Sequence, residues 1–208
     1  MAKGAWRNMN YEELVENIKN CKKCDLWKNK INYVIGEGNI NSKIIFIGEA
    51  PGAEEDKQGR PFVGKAGQYL TKVIREKLGF EDRSKYYITN VIKCRPPNNR
   101  DPSEEEINAC RDWLEIQLEI IKPEIIVTLG RHSTKWIFEY FGLNFTSILK
   151  VRGKVYEVEK WNKKVKIIPT LHPAAVLYHP NWKDIFEKDF EIIAKEIKKE
   201  GGLKKFIK

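Results

Sequence analysis

No apolar run in this 208-residue chain approaches the roughly 20 residues that a membrane-spanning helix needs. The N-terminal stretch has no secretory apolar segment either, so a cytosolic protein is expected, or a nuclear one if the source has a nucleus. Internal repeats and low-complexity tracts are absent, which excludes solenoid arrays. Cysteine is scarce, with four residues. In a reducing compartment, four thiols more readily bind metal or stay free than pair as disulfides.

Positive charge, by contrast, is plentiful. Lys and Arg number 38 against 29 Asp and Glu, a formal net charge of +9. Such a surface favours a polyanionic partner, most simply nucleic acid. A lysine-rich, heat-adapted soluble surface is the competing reading. The length suits one domain over residues 1–208, closing in a basic tail at 201–208.

The chain is organised around Gly48–Gly67, a loop rich in glycine and proline. Ile44-Ile45-Phe46-Ile47 before it reads as a buried strand over 43–48. Leu70, Val73, Ile74 and Leu78 after it mark one helix face, with Gly79 as the stop. Open α/β sheets bind ligands at the carboxyl ends of their strands, which makes this the candidate active-site loop. It brings carboxylates at Glu49, Glu54, Glu55 and Asp56, and one flat apolar ring at Phe62.

Upstream, residues 10–20 form a helical pattern (Leu14, Val15 and Ile18 on one face), followed by a turn at 36–41. Tyr86–Ile92 and Ile125–Leu129 predict two further strands, and Val165–Ile168 a fourth, hairpinned to Val155–Val158 around Asn162. Arg95–Arg100 must be a loop, because its prolines and asparagines oppose either kind of ladder. Asp101 is the expected N-cap of the next helix, with Pro102 at its first position and Glu104 at its third. A helix from about Ser133 to Phe141 and a last one carrying Trp182, Phe186, Phe190, Ile193 and Ile197 complete the pattern. Strands alternating with helices imply a mainly parallel sheet covered on both faces. Its strand ends would bring the Glu49–Phe62 loop, Asn90 and His172 together.

Cys21-x2-Cys24 is a chelating hairpin, and Cys94 and Cys110 follow with fifteen residues between them. Zinc usually takes two tight pairs, so the wide second pair favours an iron–sulfur cluster. Cys110 alone would read as a small buried apolar residue. Gly59–Ala66 nearly spells a P-loop but has Ala66 where that motif needs a hydroxyl for magnesium, and it lies about eleven residues past its strand. His172 gains a functional reading from its expected closeness to Glu49 and Phe62, whereas His132 and His179 read as structural. Phe62, beside Pro61 and Gly64 in a polar loop, reads as a stacking platform. Asn90 either caps a turn or offers a donor and an acceptor to a pyrimidine edge.

Five motifs in order then resemble family 4 uracil-DNA glycosylases. They are Gly-Glu-Ala-Pro-Gly from Gly48, Gly-Arg-Pro-Phe-Val-Gly-Lys-Ala-Gly from Gly59, Thr-Asn-Val-Ile-Lys-Cys-Arg-Pro-Pro-Asn-Asn-Arg from Thr89, Leu-His-Pro-Ala-Ala from Leu171, and the four-cysteine pattern. The resemblance covers roughly residues 11–198. It implies a three-layer α/β/α sandwich with a central four-stranded parallel sheet. It further implies a 4Fe–4S cluster on Cys21, Cys24, Cys94 and Cys110, and hydrolysis of the N-glycosidic bond of uracil in single- or double-stranded DNA. By motif position Glu49, Ala50 and Pro51 line the uracil pocket, Phe62 stacks on the base, Asn90 reads its polar edge and His172 lies over its O2.

The third position of the first motif carries a water-positioning aspartate in related glycosylases, and here it is Ala50. Glu55 is the first choice for the water-side carboxylate and Glu49 the second. Tyr178-His179 stands where relatives often have Arg-Asn, and Val176 and Leu177 read either as wedges for the gap left by a flipped base or, equally, as core residues. A monomer is expected. The tail Leu203–Ile207 offers a nonspecific contact for DNA or for a protein such as a sliding clamp. The alternative function is a non-catalytic iron–sulfur module that binds DNA within a repair or replication assembly. Release of free uracil from an oligonucleotide separates the two.

Overall fold

Residues 9–201 are described in the computed structural model, and the tail contact expected at Leu203–Ile207 lies outside the described residues. One sheet runs through the molecule. Its strands are β1 (Glu37–Gly38), β2 (Ile44–Gly48), β3 (Tyr87–Asn90), β4 (Ile125–Leu129), β5 (Tyr156–Lys160) and β6 (Lys163–Thr170), in the order β1-β3-β2-β4-β6-β5. The four inner strands are mutually parallel, as the expected core requires. Each edge adds an antiparallel strand. The sequence predicts only a turn at 36–41, yet Glu37 and Gly38 pair with Ile88 and Tyr87.

Among the described residues eight α-helices surround the sheet: α1 (Tyr11–Lys19), α2 (Ala53–Gln58), α3 (Lys65–Leu78), α4 (Glu104–Ile121), α5 (Arg131–Tyr140), α6 (Ile148–Val151), α7 (Pro173–Tyr178) and α8 (Lys183–Lys199). Side chains alternate across each strand, so every inner strand feeds two cores. Ile45, Ile47, Tyr87, Ile126 and Ile167 pack with Leu14 of α1, Leu114 and Leu118 of α4 and Ile137 of α5. Ile44, Phe46, Ile88, Val127 and Ile168 face Leu70 and Val73 of α3, Val176 of α7 and Phe186 and Phe190 of α8. The continuous Ile/Val character of the strands follows from burial on both faces.

Two local expectations are corrected and a third is met. Ser103, not Asp101, caps α4: its hydroxyl accepts the Glu106 N–H at 3.2 Å while the Glu106 carboxylate accepts the Ser103 N–H at 2.8 Å. The Ser-x-x-Glu spacing that builds this reciprocal pair sits two residues downstream of the Asp101 reading. The organising loop is not wholly irregular, since Ala53–Gln58 forms α2 and ends on Gly59 in the left-handed conformation, φ 67°. Within α2, Asp56 turns inward, and its Oδ1 accepts the N–H groups of Ile31 and Asn32 at 2.9 and 3.1 Å. That carboxylate therefore ties the loop to the chain before it. Lastly, the β5–β6 turn consists of Trp161 and Asn162, at φ 54° and 56°, which matches the right-handed twist of a hairpin.

Because the inner strands are parallel, the segments after Gly48, Asn90, Leu129 and Thr170 all leave the same edge of the sheet. The site forms there.

Candidate active site

A cleft of about 500 Å³ opens at that edge. Its walls include Glu49, Ala50, Pro51, Glu55, Phe62, Asn90 and His172, the residues that the sequence reading gave to the base and the attacking water.

Phe62 is not the exposed platform that its polar surroundings predict. It is 6% exposed and packs against the α3/α8 core, with one region of the ring left on the cleft. Its backbone is left-handed, φ 52°, uncommon for an aromatic residue and costing about 1–3 kcal/mol. Two neighbours hold it there. Arg83 donates from Nη2 to the Phe62 carbonyl at 2.9 Å, and Arg83 is itself held by Glu37 of β1 at 2.9 Å. Gly67 packs so closely that a Cβ would lie 2.1 Å from the Phe62 carbonyl carbon. The short edge strand thus positions the ring through Glu37 and Arg83.

Asn90 ends β3 at 1% exposure, and its Oδ1 is buried without a hydrogen-bond partner. Leaving a buried amide oxygen unpaired costs about 1–3 kcal/mol, a cost that a ligand N–H would relieve. Gly48 permits the arrangement: a Cβ there would lie 2.4 Å from Phe62 Cζ and 2.5 Å from Asn90 Oδ1.

His172 caps α7, its Nδ1 accepting the Ala174 N–H at 3.2 Å. The neutral ring then carries its proton on Nε2 and offers a donor there. The imidazole lies 6.2 Å from the Phe62 ring, tilted by 35°. Burial lowers its pKa to about 4, against the opposing pull of the Glu55 carboxylate. The unfolded chain takes up this proton near 6.5, so His172 contributes stability that is fully present above that value and is lost as pH falls through about 4. A His172→Gln variant should therefore keep more of its neutral-pH stability in acid than the parent. Urea melts at neutral pH and near pH 4.5 check this. Equal acid losses in both proteins would show that the ring is not buried neutral.

Glu55 Oε1 accepts the N–H groups of Val63 and Gly64 at 2.9 and 2.8 Å. Those donors are the ones a phosphate would need at the P-loop look-alike, so the carboxylate itself fills that role. Glu49 is half-buried and belongs to a charged group. His132 Nε2 lies 3.9 Å from Glu49 Oε2 and 3.3 Å from Asp101 Oδ2, and Arg131 reaches Asp101 at 2.7 Å. Burial raises the Glu49 pKa, His132 and Arg131 pull it down, and Asp101 pushes it up. His132, read from the sequence as structural, is thus beside the cleft. Its position after β4 was the available signal, since it too leaves a strand's carboxyl end. His179 has no such place and rests against the Trp182 ring at 4.8 Å.

At the cleft mouth, Val176 is excluded as a wedge because it is 4% exposed in the α3/α8 core. Leu177 and Tyr178 are exposed, Tyr178 at 82%, and Tyr178 borders the cleft.

The four cysteines line one pocket on the opposite core, between α1, the segment after β3, and α4. Cys94 and Cys110 are buried, Cys21 and Cys24 half-buried. The Trp113 indole N–H donates to Cys21 Sγ at 3.2 Å. Burial pushes the Cys110 thiol up to about 12 and Cys94 higher still. Holding such groups as thiolates calls for a strongly positive centre among them. Lys93, packed alongside, is lowered to about 7 by burial.

A mixed α/β sheet with helices on both faces and a cleft at the carboxyl ends of its parallel strands defines the class: an α/β domain with a ligand site at the strand ends. The uracil DNA glycosylase superfamily model matches residues 35–197. A type-4 uracil-DNA glycosylase from Sulfurisphaera tokodaii is 57% identical over 88% of this chain and 82% of its own length. The type-4 enzyme from Archaeoglobus fulgidus is 54% identical over 88% and 90%, and that from Thermotoga maritima 46% over 91% and 96%. The chain belongs to the type-4 uracil-DNA glycosylase family.

Proposed function

We propose that this chain removes uracil from DNA by hydrolysing the N-glycosidic bond of a flipped-out nucleotide, with Asn90 as the reader of the base. The observation that carries the reading is the buried, unpartnered Asn90 Oδ1, set beside Phe62 at the cleft. Uracil presents a donor at N3 and an acceptor at O4, which the two ends of one amide match. Cytosine presents the reverse. Stacking on Phe62 contributes about 1–3 kcal/mol to any base, enough to hold one but not to identify it.

Flipping exposes the glycosidic bond to these groups. As that bond breaks, charge develops on the uracil O2 and on the sugar. The neutral His172 donates from Nε2 to O2, and the N–H groups of the Glu49–Gly52 loop lie along the same wall. Glu55, steadied through Oε1, keeps Oε2 for the attacking water, with Glu49 as the second carboxylate near the cationic sugar. Leu177 and Tyr178 fill the gap in the stack. The +9 chain supplies the affinity for phosphates. It acts as a monomer inside the cell.

Cys21, Cys24, Cys94 and Cys110 hold a 4Fe–4S cluster in this reading. Zinc with four thiolates brings sulfurs to about 3.8 Å of one another, given its ~2.3 Å bonds and tetrahedral geometry. Among the described residues, the group with ligand atoms within 4.8 Å of one another is Glu49, Asp101 and His132, and the cysteine sulfurs form no such group. Wider spacing within one pocket suits a cluster. When bound, it supplies a cross-link between the N-terminal helix, the segment after β3 and α4, and no chemistry to the substrate.

The test is uracil release from a uracil-containing oligonucleotide, by the parent and by Asn90→Asp. A carboxylate facing O4 is repulsive, so single-turnover excision should fall by roughly tenfold or more, while cytosine becomes better tolerated. Parent-like rates and unchanged discrimination in the variant would remove Asn90 as the reader.

A further inference from the structure

Lys93 is 1% exposed, an expensive place for an ammonium group. The other deeply buried lysine, Lys166, is paired with Glu196 and Glu200 at 3.0 and 2.6 Å. Lys93 has no carboxylate partner among the described residues. Its Nζ donates to three neutral oxygens instead: Thr89 Oγ1 at 2.8 Å, the Asn90 carbonyl at 2.6 Å and Gln117 Oε1 at 2.6 Å. The two side-chain acceptors are oriented by partners of their own. Thr89 Oγ1 donates to the Ile35 carbonyl at 2.6 Å, and Gln117 Nε2 donates to the Ile35 carbonyl at 2.9 Å and the Tyr87 hydroxyl at 3.0 Å. A buried network so fully satisfied fixes one arrangement of its members.

We propose that Lys93 is a positioning residue that ties the four-cysteine centre to the uracil reader. Its backbone runs directly into Cys94 of the cysteine pocket, which Lys93 also lines, and its ammonium clamps the carbonyl of Asn90, three residues earlier in the chain. A cluster on four thiolates in that pocket carries net negative charge, so the same ammonium is a nearby counter-charge for it. This explains why a lysine occupies a site where methionine would pack at lower cost. The proposal rests on the reading that Asn90 contacts uracil and that the cysteines hold iron.

The experiment compares the iron-loaded parent with Lys93→Met. One readout is inhibition by free uracil, which reports base recognition apart from bond cleavage. The other is the reduction potential of the cluster, measured by spectroelectrochemistry at matched iron content. Inhibition should weaken by about tenfold, and the potential should move to more negative values as a nearby positive charge is lost. A residue that merely fills the core would lower the melting temperature and leave both readouts at parental values, which would overturn the proposal. If the methionine variant does not accumulate folded, Thr89→Val removes one acceptor at constant shape. It should weaken uracil inhibition by about threefold, and parental inhibition would overturn the proposal equally. A parent that releases no uracil or binds no iron overturns the underlying reading before any variant is compared.

Discussion

Replacing Gly48 with alanine is expected to slow single-turnover uracil excision by on the order of 100-fold while the protein stays folded. The added Cβ would stand 2.4 Å from Phe62 Cζ and 2.5 Å from Asn90 Oδ1. No real Cβ tolerates such contacts, so one wall of the base site must move. Phe62 cannot withdraw, because Arg83 holds its carbonyl and Gly67 closes behind its left-handed backbone. Asn90 cannot withdraw either, with its carbonyl under Lys93 at 2.6 Å. Both side chains are left to rotate into the space a base would take, and a displacement near 1 Å costs about 100-fold in rate. Gly48 does not carry a left-handed φ, so the substitution adds no backbone strain and overpacking costs about 1–3 kcal/mol of stability. Urea melts beside the excision assay separate the two effects. A parental rate in the alanine variant would show that Phe62 and Asn90 do not bound the base.

The chemistry at the cleft divides by charge. In the proposed reading Asn90 and the neutral His172 meet the base, whereas Glu49 lies with Asp101, His132 and Arg131 in a charged group and Glu55 stands at the Val63–Gly64 turn. Neutral donors suit a leaving uracil that becomes an anion only in the transition state, since they need no rearrangement as charge develops. Carboxylates suit the opposite partner, a sugar that becomes cationic. Parallel strands make this division possible by delivering each group from a separate strand end to one edge of the sheet.

Much of this was legible in the sequence because the signals were periodic or local. Apolar runs marked the four parallel strands, and Gly79 and the Asn162 turn marked element ends within a residue or two. The motif positions Glu49, Phe62, Asn90 and His172 all reached one cleft. The misses share a cause, which is that long-range partners decide them. Phe62 looks exposed from its polar neighbours, but α3 and α8 bury it from across the sheet. His132 looks idle until Asp101, thirty-one residues earlier, folds against it. The two-residue strand β1 has too little length for any pattern, and exists because β3 offers it an edge. Lys93 hides within the cysteine motif, where a surface lysine is the ordinary expectation.

Replacing Cys94 with serine is expected to damage the fold more than the catalytic chemistry. Cys94 is buried beside Cys110, and with Cys21 and Cys24 it joins three segments that otherwise meet through a few side chains. In the proposed cluster, losing one thiolate loosens that junction and leaves buried thiols without their counter-charge. Loss of a structural metal belongs with the largest single-site effects, about 4–5 kcal/mol. For a chain of this size that corresponds to a fall in melting temperature of roughly 8–20 °C. Soluble yield should drop in step, and the brown colour with broad absorbance near roughly 400 nm, expected of the iron–thiolate parent, should fade. Whatever fraction folds should still excise uracil, because none of the four cysteines lines the cleft that holds Asn90 and His172. The measurement is iron content, absorbance and thermal melt of anaerobically purified parent and variant, with excision normalised to folded protein. A colourless parent with stoichiometric zinc would sink the cluster, and a variant with parental stability and no activity would place Cys94 in the chemistry instead.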